Sequence, residues 1–113
     1  MKRGDILYAD LSPTVGSEIN KRRPVLVVSN AANNSGASTL TVLPMTSNLS
    51  RIYPFEVAIA ASESGLPRDS KVQAQQIRTI AKERLVGPVV GHLPIERMRE
   101  VNTALRLHLG LCR

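Results

Sequence analysis

A chain of 113 residues has room for a single domain with one core, and its apolar runs fall far short of the roughly 20 residues a membrane span requires. Fifteen Lys and Arg against nine Asp and Glu leave a formal charge of +6, which favours a polyanionic partner, nucleic acid first, over a basic surface kept for solubility. The one cysteine, Cys112, excludes an intrachain disulfide, and with only Tyr8, Tyr53 and Phe55 as aromatics there is no extended base-stacking platform.

The opening MKRGDILYADL has a short apolar part broken by Asp5 and Asp10, a poor signal peptide, so a soluble, cytoplasmic protein is expected. Within it DILYADL (5–11) reads as a strand, followed by the loop SPTVGSEINKR and a second strand, PVLVVSN (24–30). AANNSGAS reads as a turn-rich connection into TLTVLP (39–44), and the loop MTSNLSRIY leads to PFEVAIA (54–60). SESGLPRD then connects to one longer strand, SKVQAQQIRTI (70–80), AKERL (81–85) reads as a helical turn, and VGPVVGHL (86–93) is a weaker strand. Five or six strands at this spacing predict a small sheet that curls or closes. From Pro94 the pattern changes: Ile95, Met98, Val101, Leu105 and Leu109 recur at helical intervals, with Pro94 suited to a first turn and Gly110 to a stop. The expected fold is mainly β with a C-terminal α-helix.

Strands 24–30 and 39–44, taken as an antiparallel pair, bring the start of the first beside the end of the second. Arg23 and Thr46 then meet at one rim of the sheet, under the loop 13–22. Pro24 reinforces this by forcing Arg23 into an extended conformation. A guanidinium fork and a neighbouring hydroxyl suit the oxygens of a phosphodiester. The competing reading is a structural ion pair of Arg23 with Glu18 or Asp10.

Other chemistries find little support. His92 and His108 stand alone in their segments, and no HExxH, CxxC, carboxylate cluster or Gly-rich phosphate loop occurs, so neither metal nor cofactor is expected. His92 reads as a packed or surface residue rather than a base. Cys112, near a chain end, reads as an incidental thiol.

The run RGDILYADLSPTVGSEINKRRPVLVVSN, with VLPMTS (42–47), YPFEV (53–57), QIRTI (76–80) and the C-terminal helix, resembles the MazF/PemK family of type II toxin–antitoxin endoribonucleases over nearly the whole chain. The resemblance implies an SH3-like β-barrel of the PemK/CcdB-like type and a cytoplasmic homodimer. It also implies metal-independent, sequence-specific cleavage of single-stranded RNA, by 2′-OH attack, to 2′,3′-cyclic phosphate and 5′-OH ends. A cognate antitoxin whose C-terminal segment covers the RNA groove would be the inhibitor, and the partner in DNA binding. The family's catalytic arginine, in R-P-V-L, falls on Arg23, and its threonine, in P-x-T-S, on Thr46. Two departures stand out: Ser17 where some relatives carry a histidine, and Gln75 where others carry an acid.

Around that pair the expected RNA-binding layer is Gly16, Ser17, Glu18 and Arg22, then Pro44, Ser47, Asn48 and Arg51, then Gln75 and Gln76. Lys21 and Arg22 would hold flanking phosphates, or form a solvated basic turn. Glu18 would accept from base amino groups, or cap its loop. Tyr53 would stack on a base, or pack beside Pro54. Arg78 is expected to be tied into the barrel, whereas Lys71, Lys82 and Arg84 read as solvated charges. For a dimer, the helix face near Leu105–Leu111 and strand 40–44 are the expected contacts. The rival function is a non-catalytic poison of DNA gyrase, or a nucleic-acid-binding module, on the same fold. Such a poison needs neither Arg23 nor Thr46, and would act through exposed apolar residues near the chain end.

Overall fold

The computed structural model describes residues 1–12, 15–17 and 21–111. Among these, seven strands pair antiparallel: β1 (Asp5–Asp10), β2 (Arg22–Val27), β3 (Thr39–Thr46), β4 (Glu56–Ile59), β5 (Ser70–Gln73), β6 (Arg78–Ala81) and β7 (Leu85–His92). Their order is β4-β5-β3-β2-β1-β7, with β6 also on β3. Three helices complete the chain: α1 (Ala31–Gly36), α2 (Ala61–Ser64) and α3 (Ile95–His108).

β3 is the hub. One flank carries β2 through Val25↔Pro44, Leu26↔Leu43 and Val27↔Val42. The other is shared, β6 taking Thr39–Val42 and β5 taking Met45–Thr46. Pro44, which has no N–H to donate, falls between the stretch of β3 paired with β6 and the stretch paired with β5. With both flanks occupied and Leu40, Val42 and Leu43 fully buried, β3 is unavailable to a second chain, contrary to the dimer contact expected of strand 40–44.

Two buried clusters replace the single core expected from length. Ile6, Leu26, Leu43 and Met45 face α3, where Met98, Val101 and Ala104 cover them. Leu7, Val25, Val27, Leu40, Val42 and Ile80 fill the other face. Because successive residues of a strand point to opposite faces, a strand buried on both reads as a continuous apolar run, and this explains VLV in β2.

Several boundaries differ from the sequence expectation. AANNSGAS holds a short helix, α1, capped by Asn30, whose Oδ1 accepts from the Asn33 N–H at 2.8 Å. The expected strand 70–80 is interrupted by a 3₁₀ turn at Ala74–Gln76, and AKERL forms another at Lys82–Arg84. On α3 the buried stripe is Met98, Val101 and Ala104, whereas Ile95 (62% exposed) and Leu109 (49%) lie open. His92 is a surface residue on β7; its Nδ1 pairs with Asp5 Oδ1 at 2.7 Å across the β1–β7 edge.

Candidate active site

Extending the β2–β3 register by two residues beyond Val25↔Pro44 sets Arg23 opposite Thr46. Both line a cavity of about 150 Å³ together with Arg22 and Ser47. The hairpin expectation of one shared rim therefore holds, and Arg22 and Ser47 join it there. Tyr8, Pro24 and Met45 close one side of the cavity; Leu66, Pro67, Arg68 and Ser70 close another. None of these seven was foreseen. Arg68 in particular sits in a stretch read only as a connection, and its one advance signal is a cation beside Gly-Leu-Pro.

Local hydrogen bonding gives Thr46 a defined role. Its Oγ1 accepts from the Asn48 N–H at 3.2 Å, which occupies an acceptor position and leaves the hydroxyl hydrogen to donate elsewhere. Asn48 is itself engaged in the loop, its Oδ1 accepting from the Ser50 N–H at 3.2 Å and the Ser50 hydroxyl at 2.9 Å. The entrance to β2 is strained: Lys21 has φ 68°, a left-handed conformation that costs a non-glycine residue about 1–2 kcal/mol. Ser12 Oγ holds it by accepting from the Lys21 N–H at 2.9 Å, and the Lys21 carbonyl accepts from Leu11 N–H at 3.0 Å.

A buried polar network braces the loop that follows Thr46. Glu56 Oε1 accepts from Lys71 Nζ at 2.9 Å and from the Tyr53 N–H at 2.9 Å. Its Oε2 accepts from Gln75 at 2.6 Å and Gln73 at 3.3 Å. Lys71 Nζ also donates to the Arg51 carbonyl at 2.5 Å, so one ammonium ties the loop to the sheet. Burial pushes the Glu56 carboxyl up, but the Tyr53 N–H, Gln75, Lys71 and Gln73 together hold it below the usual carboxylate value. Lys71 is thus buried rather than solvated. Lys82 and Arg84 also depart from expectation, donating to the Asn34 carbonyl at 2.7 Å and the Ser12 carbonyl at 2.6 Å.

The network also accounts for Gln75. A second carboxylate at that place would face Glu56 Oε2, whereas an amide supplies a donor. Gln75 is bound into this network and does not line the Arg23–Thr46 cavity; Pro44 is buried in β3. Gln76 Nε2 reaches the Ser17 carbonyl at 3.5 Å, linking the exposed Gly16–Ser17 turn to the 3₁₀ turn. Arg78 donates to the Leu11 carbonyl at 3.3 Å, a tie into the sheet as expected. Arg51 lies exposed, donating to the Tyr53 hydroxyl at 3.1 Å over a ring that itself stacks on Phe55 at 5.4 Å. Glu18 and Cys112 lie outside the described residues.

Comparison with known proteins places the chain in a family. The chain is 45% identical over 116 aligned residues to the endoribonuclease MazF9 of Mycobacterium tuberculosis, covering 98% of each chain. It is 43% identical to the endoribonuclease EndoA of Bacillus subtilis, covering 98% of this chain and 96% of that one. A solved mycobacterial endoribonuclease in complex with its cognate antitoxin superposes with a TM-score of 0.82 at 30% identity, over 100% of this chain and 98% of the other. The family model for the PemK-like, MazF-like toxins of type II toxin–antitoxin systems matches residues 2–109, and the chain belongs to that family.

Proposed function

We propose that this chain is a toxin endoribonuclease that cuts single-stranded RNA through the ribose 2′-OH. One observation carries the reading: Arg23 and Thr46, from neighbouring strands, line one cavity at a basic rim. The 2′-oxygen loses its proton to solvent and bonds to the adjacent phosphorus. The bond to the 5′-oxygen breaks, and that oxygen takes up a proton, leaving a 2′,3′-cyclic phosphate and a 5′-hydroxyl. Arg23 balances the charge gathering on the phosphoryl oxygens and assists protonation of the leaving oxygen. A guanidinium offers donors and no acceptor, so it is a poor base. Thr46 donates its free hydroxyl hydrogen to the same centre. Preorganised donors of this kind are worth about 3–4 kcal/mol each.

Arg22, Ser47, Asn48 and Arg51, with the Gly16–Ser17 turn and the Gln76 bonded to it, form the surrounding RNA-binding layer. Gln75 and Pro44 serve it indirectly, through the Glu56 network and the change of partner along β3. The similarity to an endoribonuclease held by its antitoxin supports a cytoplasmic protein neutralised by an antitoxin peptide laid over this rim. Leu107, Leu109 and Leu111, exposed at the end of α3, suit the contact between two copies. The same residues are what a gyrase poison would use.

The test is incubation with a long single-stranded RNA in EDTA. Discrete cuts with cyclic-phosphate ends are expected, with DNA of the same sequence left whole because it lacks the nucleophile. Arg23→Ala and Thr46→Ala should each slow cleavage at least about a hundredfold while RNA still binds. Parental cleavage by Arg23→Ala sinks the assignment, and intact RNA alongside stalled gyrase supports the rival.

A further inference from the structure

Resting on the ribonuclease reading, we propose that Arg68 is a second phosphate-binding residue of this site. It seats a backbone phosphate beside the one that is cut. Arg68 lines the cavity that holds Arg23 and Thr46, yet it arrives from a different part of the fold. In the order β5-β3-β2, Thr46 lies on the central strand, Arg23 on β2 at one flank, and Arg68 two residues before β5 at the other. Lys71 is the residue paired with Thr46, so Arg68 is displaced from Arg23 by two strand spacings of about 4.8 Å and by three residues of about 3.3 Å along the strand direction, which sets the two backbones roughly 14 Å apart on either side of Thr46. An RNA strand crossing Thr46 meets one guanidinium on each side. Two forks so spaced suit successive phosphates better than one shared phosphate.

The turn that bears Arg68 is held on both sides. Gly65 has φ 79°, and a Cβ there would come within 2.2 Å of the Val90 carbonyl oxygen. Leu66 is buried, and its N–H donates to Ser64 Oγ at 3.0 Å. Asp69 Oδ1 accepts from the Ala61 N–H at 2.8 Å, so the carboxylate next in sequence is tied to the start of α2. The Arg68 carbonyl accepts from Ser70 Oγ at 3.1 Å. By contrast the Arg68 guanidinium has no hydrogen bond or ion pair among the described residues, and the side chain is exposed. A cation on a fixed turn, with its own donors uncommitted and facing a site for a polyanion, is arranged for a ligand and contributes little to the fold. Leu66 and Pro67 beside it add an apolar surface against which a ribose or base can lie.

Arg68→Gln, Arg68→Lys and, as a control of equal charge loss outside this cavity, Arg99→Gln separate the possibilities. Steady-state cleavage of a long single-stranded RNA is measured across a salt series, with binding of an uncleavable 2′-O-methyl oligonucleotide spanning a mapped cut site. Arg68→Gln should raise KM about tenfold at low salt, the loss of one charge-assisted fork, and leave kcat unchanged. The slope of log affinity against log salt should flatten by about 0.7, the contribution of one phosphate contact on a single strand. Arg68→Lys should keep the slope and recover part of KM, and Arg99→Gln should match the wild type in both. Wild-type cleavage with Arg68→Gln indistinguishable from Arg99→Gln overturns the subsite alone. Wild-type protein that neither cuts nor binds RNA overturns the ribonuclease reading and the subsite together.

Discussion

Lys71→Met tests whether the buried network carries as much of the stability as its geometry indicates. The substitution keeps an unbranched side chain one atom shorter and removes the ammonium, leaving Glu56 ionised with only the Tyr53, Gln73 and Gln75 donors, and the Arg51 carbonyl without its donor. Removing one partner of a buried ion pair costs about 3–5 kcal/mol, and three surviving donors place this case near the lower end, about 3 kcal/mol. At about 2.1 cal/mol/K per residue, 113 residues give an unfolding entropy near 0.24 kcal/mol/K, so Tm should fall by about 13 °C. The pH dependence has a definite sign. Glu56 is held below its ordinary value of 4.5, so its stabilisation is complete above that value and fades as pH drops through the folded-state pKa. The gap between wild type and Lys71→Met, read by calorimetry, should therefore be widest near pH 7 and shrink below about pH 4. Lys71→Met combined with Glu56→Gln removes both charges and should regain part of the loss. A gap that does not change with pH, or a double variant no better than the single one, refutes the reasoning.

Gln75→Glu should be destabilising at pH 8, by roughly 1–3 kcal/mol, because it sets a second carboxylate against Glu56 Oε2 in place of a donor 2.6 Å away. Mutual repulsion raises one carboxyl above its unfolded value, so the cost is felt above that value and relieved as pH falls; thermal melts at pH 8 and pH 5 read the difference. Gly65→Ala should cost at least about 2 kcal/mol in chemical denaturation, combining a left-handed backbone with a clash against the Val90 carbonyl.

The parts of the fold legible in the sequence are those governed by short-range pattern. PVLVV and TLTVLP are apolar enough to be strands, and an antiparallel hairpin has one consequence that needs no side-chain detail, the meeting of Arg23 with Thr46. Pro24 strengthens it by fixing the backbone before the strand. α1 was missed because Asn, Ser and Gly signal turns as readily as caps, and only the Asn30–Asn33 hydrogen bond decides between them. The break in the 70–80 strand leaves one trace in the sequence, the adjacent Gln75 and Gln76, at which the alternation of Val72, Gln73, Ala74 and Gln75 slips by one residue. Lys71 was misread for a related reason: a lysine in an alternating strand looks solvated until Glu56, 15 residues earlier, is known to lie beside it. Arg68 lies beyond pattern altogether, since only the β3–β5 pairing brings its turn to the rim.

These residues divide the work between two tiers with opposite electrostatic character. At the rim, Arg22, Arg23 and Arg68 gather positive charge around Thr46 with no carboxylate among the described residues lining the cavity. Like charges gathered this closely repel one another, and under the proposed function a phosphate backbone would relieve that repulsion. Beneath the rim, the Glu56–Lys71 pair is neutral overall and buried, so it holds the loop after Thr46 without adding charge to the cavity above. A carboxylate at position 75 would tip that lower tier negative and draw on the same cations. The amide found there keeps the tier neutral, consistent with a chemistry in which guanidinium and hydroxyl donors dominate and a carboxylate base does not.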